Sequence, residues 1–192
     1  MPERRRLQKR ICLLGPESTG KTELAKALAA HFNTHVMPEY GRAFDIHHKQ
    51  GVDGGAKGQN WTEDDLVKLA KTHIAMREAM APEAGPLLIE DTDIVQTAIW
   101  AEFLLGARST ALEKMLAGAD LADHYLILSP DVAWIDDGVR YAGGEEVRRW
   151  FFDEAVARIT KLGARHTIIV GSDWDDRTKQ AIAAADAFAG GF

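Results

Sequence analysis

Apolar residues gather in five short runs along the chain: "RICLLG" at 10–15, "THVMPE" at 34–39, "PLLIED" at 86–91, "HYLILS" at 124–129 and "HTIIVG" at 166–171. Most are bounded by Gly, Pro or Asp, and all are too short for a buried helix, so they read as buried strands of a parallel sheet. Between them the period changes. Behind the first run, "KTELAKALAAHF" places Leu24, Leu28 and Phe32 on one face, four residues apart. Further helices are expected near 62–80, 92–105, 144–162 and 174–189. Thr62 and Asp65 have the spacing of a capping box at the start of the first of these. Strand and helix in alternation predict a doubly wound α/β fold. One glycine-rich stretch, "KQGVDGGAKGQN" at 49–60, has no period and reads as a loop over the open end of the sheet.

A length of 192 residues suits a single domain with a core large enough to need no disulfide or metal staple. Lys and Arg number 23 against 29 Asp and Glu, a formal charge of −6, which argues against a general nucleic-acid surface. The N-terminal "MPERRRLQKR" is basic, but the "ICLL" behind it is far shorter than the apolar region of a signal peptide. It reads as a solvated lead-in to the first strand. No run approaches the length needed to cross a bilayer, and Cys12, the only cysteine, cannot form an internal disulfide. The expectation is one domain over 1–192, cytoplasmic, with a small-molecule partner and neither nucleic acid nor membrane. The histidines, His47 and His48 included, lack metal-ligand spacing and read as surface or loop residues.

The strongest chemical signal is "GPESTGKT" from Gly15 to Thr22, a Walker A pattern between a predicted strand and a predicted helix. Its glycines let successive backbone N–H groups turn inward around a phosphate, and the helix behind adds the positive end of its dipole. Gly15, Glu17, Ser18, Thr19, Gly20, Lys21 and Thr22 are the expected nucleotide contacts. Lys21 is expected at the β- and γ-phosphates, and the Thr22 hydroxyl on Mg²⁺. Nucleotide binding follows; the fate of the γ-phosphate does not.

Ligands of parallel α/β sheets lie at the carboxyl ends of the strands. The second strand ends in "MPEYGR", which places Glu39, Tyr40 and Arg42 there as candidates for acceptor binding. The third ends in "LLIEDTD", with Glu90, Asp91 and Asp93. Asp91 is expected to hold the Mg²⁺ shell. Glu39 and Asp93 are the candidates for the carboxylate that orients the acceptor hydroxyl, with helix capping as the competing role for Asp93. Trp100 and Phe103 read as core, although Trp100 could stack on an acceptor ring.

The fourth strand leads into "SPDVAWIDDGVRYAGGEEVRRW", where Asp131, Trp134, Asp136, Asp137 and Arg140 crowd a Pro- and Gly-containing connection. Such a segment, about 130–149, reads as a lid that excludes water from the transferring phosphoryl group. Arg140 is the expected phosphate contact, with Arg148 and Arg149 as weaker candidates for which a solvated helix face is the better reading. In "GSDWDDR" the backbone near Ser172 and Asp173 could hold the base, with helix capping as the competitor.

"GPESTGKT", "PEYGR", "EDTDIVQTAIWAEFLLG" and "SPDVAWIDDGVR", in this order, resemble the ribosylnicotinamide kinase domain of NadR-type proteins and related P-loop domains. The resemblance runs from Ile11 to about Val170. It implies a three-layer, nucleoside-kinase-like P-loop fold with a five-stranded parallel sheet and a lid. It also implies ATP with Mg²⁺, and the ribose 5′-hydroxyl of nicotinamide riboside as acceptor. Gly15 to Thr22 would be the phosphate loop, Asp91 and Asp93 the acids after strand three, Arg140 the lid arginine and Glu39 a site acid. The "HxGH" motif of the nucleotidyltransferase domain usual in NadR-type proteins does not occur in these residues. A nucleotide-binding regulatory switch is the alternative function. Within it a GTPase is disfavoured, because neither "NKxD" nor a "DxxG" after the third strand is found.

Overall fold

The structure, a computed structural model, describes residues 8–41, 43–44, 61–135 and 144–190. Among these, β1 (Lys9–Leu14), β2 (Val36–Met37), β3 (Leu87–Asp91), β4 (His124–Leu128) and β5 (His166–Ile169) form one sheet in the order β2-β3-β1-β4-β5. Every pairing is parallel. The helices are α1 (Lys21–Phe32), α2 (Glu63–Met80), α3 (Ile94–Leu105), α4 (Thr110–Ala117), α5 (Glu145–Lys161) and α6 (Trp174–Ala189).

Alternation along β1 sorts the helices into two layers, because successive side chains of a strand point to opposite faces. Ile11 and Leu13 pack with Leu24 and Leu28 of α1 and Ala181 and Ala185 of α6. Cys12 and Leu14 pack with Leu66, Ile99, Leu112 and Phe151, from α2, α3, α4 and α5. Full burial of each such aliphatic side chain contributes about 1.5–3 kcal/mol, so both faces of β1 are strongly held. The sheet is therefore covered on both sides, and the expected three-layer arrangement holds.

Burial of all five strands does not hold. β2 is two residues long, and in β5 only Ile169 is buried while Ile168 is 38% exposed. Edge position explains both, since a helix layer curving over a twisted sheet covers its centre first. α4 was not among the expected helices; it is eight residues long with only Leu112 and Leu116 buried, too little pattern to stand out. The capping box of α2 is formed: Thr62 Oγ1 accepts from the Asp65 N–H at 3.2 Å, and the Thr62 N–H donates to Asp65 Oδ2 at 3.0 Å. Arg158 of α5 clamps this layer by donating to Glu102 of α3, to Glu113 of α4 at 2.7 Å and to Glu154 at 3.2 Å.

β1 is the topological switch point: the chain leaves it for β2 and returns to β3 on one side, then crosses to β4 and β5 on the other. The carboxyl end of such a strand opens into a crevice where ligands bind. The expected loop at 49–60, with His47 and His48, lies outside the described residues. So do Arg42, Asp136, Asp137 and Arg140, while the last part of the expected lid, 145–149, is the first turn and a half of α5. No described helix is long and apolar enough to cross a membrane.

Candidate functional site

The phosphate loop leaves β1 at Gly15, whose φ of +142° suits only glycine. A Cβ there would also lie 2.7 Å from the Leu128 carbonyl oxygen of β4. Gly20, at φ +82°, ends the loop under the ring of Trp174, where a Cβ would meet Cζ3 at 2.5 Å. Between them Ser18 also takes positive φ, 62°, and its hydroxyl accepts the Ile135 N–H at 2.8 Å. The Thr19 hydroxyl donates to the Pro16 carbonyl at 2.8 Å. Lys21 Nζ donates to the carbonyls of Gly15 at 3.0 Å and Pro16 at 2.9 Å, which lays the ammonium across the mouth of the loop.

Three side chains outside the motif hold this loop from behind. Gln96 of α3 donates to the Gly15 carbonyl at 2.9 Å and accepts its N–H at 3.3 Å. Arg148 of α5 is buried and donates from Nε to the Glu17 carbonyl at 3.3 Å. This corrects the reading of Arg148 as a solvated face, whereas its neighbour Arg149 is exposed. Arg177 of α6 is fully buried. It donates to the carbonyls of Gly171 at 2.7 Å, Ser129 at 3.1 Å and Thr19 at 3.4 Å, so one guanidinium joins the ends of β4 and β5 to the phosphate loop. Its five fixed donors make such a three-way tie possible.

Parallel pairing sets Leu13 of β1 beside Asp91 of β3, which brings the acid level with the start of α1. There the Thr22 hydroxyl donates to Asp91 Oδ2 at 2.6 Å. A hydroxyl and a carboxylate oxygen side by side are the hard donors that Mg²⁺ takes, so the expected pair is brought together. Glu90 points to the other face of β3 and pairs with Arg10 at 2.9 Å in full burial. Loss of water pushes its carboxyl up to about 7, against the pull of Arg10 and with a small push from Asp93.

Thr92, with φ +77°, turns the chain out of β3 and lines the site. Asp93 then caps α3: it accepts the Val95 N–H at 2.8 Å through one oxygen and the Tyr125 hydroxyl at 2.7 Å through the other. Burial pushes this carboxyl up, while the Tyr125 and Val95 hydrogen bonds oppose the shift. Of the two roles weighed for Asp93, capping is the one its contacts display.

A pocket of about 420 Å³ opens from the loop and reaches between α2 and α3. Glu17 to Glu23 form one wall, and Glu39, Trp61, Leu66, Leu69, His73, Trp100 and Leu104 line the rest. Glu39 and Trp100 were expected here. Tyr40 was too, but it is not among the lining residues; it packs edge-on against Phe44, whose ring stacks on Trp61 at 5.6 Å. Trp100 is braced by Phe151 at 5.1 Å and Phe103 at 5.7 Å between ring centres.

The sequence alone did not single out Trp61, His73, Gln96 or Arg177 for the site, and it favoured a solvated face for Arg148. The expectation of a surface or loop residue fails for His73, which is 4% exposed on α2. Its signal was present, since Leu66, Leu69 and His73 share the helical spacing of one buried face. For Arg177 and Arg148 no local pattern distinguishes them from solvated arginines. Asp173 caps α6 by accepting the Asp176 N–H at 2.9 Å, the competing role weighed for it.

Known proteins are similar to this chain in sequence and in fold. The Trifunctional NAD biosynthesis/regulator protein NadR of Salmonella typhimurium and that of Escherichia coli are each 26% identical over 167 residues, covering 87% of this chain. The chain spans only 39% of the length of these curated relatives. A crystal structure of NadR protein in complex with NR superposes with a TM-score of 0.76 at 24% identity, over 96% of this chain and 52% of that one. NadR in complex with NAD and AMP-PNP gives 0.74 at 21%, over 96% and 50%. Thymidylate kinase from Ehrlichia chaffeensis gives 0.65 at 15%, over 95% and 98%. These likenesses establish the P-loop kinase fold and bear out the resemblance to NadR-type proteins read from the motifs. A family described as AAA domain, AAA_28, matches residues 10–177, from the first strand through Arg177, and the chain belongs to that family.

Proposed function

We propose that the protein transfers the γ-phosphoryl group of ATP to the hydroxyl of a small nucleoside-like acceptor, nicotinamide riboside above others. The observation that carries this reading is the continuous pocket in which the phosphate loop, Glu39 and two tryptophans share one cavity. A hydrolytic switch needs no aromatic chamber beside its γ-phosphate, whereas a kinase must seat its acceptor there. The NadR relatives, and the NadR structures with NR and with AMP-PNP, support the choice of acceptor and nucleotide.

In this reading the loop N–H groups from Glu17 to Thr22 cradle the phosphates. Lys21 exchanges its two carbonyl partners for phosphate oxygens, which carry full charge and accept more strongly. Thr22 and Asp91 would hold Mg²⁺, which when bound would supply positive charge against that of the triphosphate. With Asp93 committed to α3 and Tyr125, Glu39 is the carboxylate that takes the proton of the attacking hydroxyl. The acceptor oxygen forms its bond to the γ-phosphorus as the bond to the β-bridging oxygen breaks, and ADP leaves. Arg140, outside the described residues, keeps the phosphate-contact role that its motif implies. The base rests against the loop after β5, beside the half-exposed Trp174 ring that covers Gly20. Trp61 and Trp100 receive the acceptor ring; an aromatic face suits a cationic pyridinium.

The test is Mg-ATP turnover with and without nicotinamide riboside, following ADP and nicotinamide mononucleotide by mass. Acceptor-dependent ADP with an equal amount of mononucleotide establishes the reading. ADP released equally without acceptor sinks it in favour of a regulatory ATPase.

A further inference from the structure

The wall of the pocket away from the phosphate loop is largely apolar, and His73 is the histidine set into it. Gln96 is engaged at both ends with Gly15, and the Thr97 hydroxyl donates to the Asp93 carbonyl at 3.3 Å. His73 lines the same pocket at 4% exposure, and among the described residues nothing lies within hydrogen-bonding range of its buried Nε2. A buried polar nitrogen without a partner destabilises the fold relative to an apolar side chain of similar size. Leu66 and Leu69 show that the same face of α2 accommodates leucine. Such a group at a pocket wall is explained when the ligand completes it.

Charge narrows the ligand. Burial, with Arg77 adding, holds the imidazole down at about 4, so it is neutral across the physiological range. A neutral imidazole offers one donor and one acceptor. Among the described lining residues the only cation is Lys21, which belongs to the phosphate loop, so a carboxylate on the acceptor ring would find no charge partner among the described residues of this wall. An apolar ring with no polar substituent would leave the nitrogen unpaired. A ring bearing an uncharged group with both a donor and an acceptor satisfies it without placing a second positive charge beside a pyridinium.

We infer that His73 is a specificity-determining contact of the acceptor site and hydrogen-bonds an uncharged carboxamide on the acceptor's ring. The inference rests on the kinase reading above and adds to it the group that selects among ribosides. Its consequence is discrimination: replacing the imidazole removes the preference for the carboxamide over the same ring without it.

The experiment measures kcat/KM of the wild-type chain and of His73→Leu and His73→Gln with nicotinamide riboside, with the riboside of unsubstituted pyridine and with nicotinic acid riboside. Thermal unfolding checks that each variant is folded. The wild type is expected to favour the carboxamide at least tenfold over the bare ring and over the carboxylate. His73→Leu is expected to collapse the ratio of carboxamide to bare ring towards one, and His73→Gln, which keeps a donor and an acceptor, to restore part of it. A ratio in folded His73→Leu equal to that of the wild type overturns the inference, and so does a wild type that phosphorylates all three ribosides equally. A wild type that phosphorylates no riboside overturns the kinase reading and this inference with it.

Discussion

The phosphate loop takes consecutive residues from Gly15 to Thr22 and is shaped through its backbone, whereas the opposite wall of the pocket takes single side chains scattered from Glu39 to Leu104. In the loop, side chains serve mainly to fix the curl: Thr19 and Lys21 bond back to Pro16, and Gly15 and Gly20 leave room for Leu128 and Trp174. In the wall, side-chain shape and chemistry are everything, and backbone merely spaces them. The difference teaches where each half is vulnerable. A loop built from backbone fails when its conformation is obstructed or its one ammonium is lost. A wall built from separate side chains fails by degrees.

Lys21→Ala attacks the loop at its charge and carries the largest expected effect. Transfer should fall by about 10²–10³-fold in kcat with the helical content intact by circular dichroism, because a preorganised donor to the transferring group is removed. A loss below tenfold would mean that the ammonium does not face the phosphates. Gly15→Ala attacks the loop's shape: the residue's positive φ and the 2.7 Å approach to the Leu128 carbonyl predict a loss of about 3 kcal/mol in denaturant unfolding. Unfolding midpoints equal to those of the wild type would contradict the close approach.

Two further changes probe the wall. Stability of the wild type should decline as pH falls from about 6.5 towards 4, in part because His73 must stay neutral in the fold while it binds a proton when unfolded. The unfolded state then binds more protons, so stability rises with pH in that window. His73→Leu should gain on the wild type by about 2 kcal/mol at pH 5 relative to pH 8. Parallel stability curves for the two proteins would place His73 in water. Trp100→Ala, the smallest effect, should raise the KM for acceptor about tenfold more than the KM for ATP, since the ring lines the wall and not the loop. Equal rises in both would show that the two halves do not divide the substrates between them.

The same contrast governs how much was legible beforehand. "GPESTGKT" could be read because its spacing is local and its purpose constrains every position, and Asp91 could be read because a strand end sets its place. Asp93 was legible only as two alternatives, cap or site acid, which differ in where one carboxylate points. Trp61 and His73 lie on α2 and its approach, far in sequence from both the loop and Trp100, so their meeting with Trp100 depends on how α2 and α3 pack. Arg148 and Arg177 carry no local mark at all. A buried arginine that ties three carbonyls and a solvated arginine have the same neighbours in sequence.

By itself the sequence determined the alternation of strands and helices, the phosphate loop between β1 and α1, and the acids that close β3. Each of these follows from periodicity or from spacing within a few residues, and short-range geometry leaves little freedom there. Only the tertiary structure decided that Thr22 meets Asp91, that Gln96, Arg148 and Arg177 brace the loop, and that α2 and α3 enclose a chamber with an unpaired imidazole in its wall. Those contacts join residues tens of positions apart. Their partners are selected by the packing of two helix layers across one sheet, and no window of sequence contains that packing.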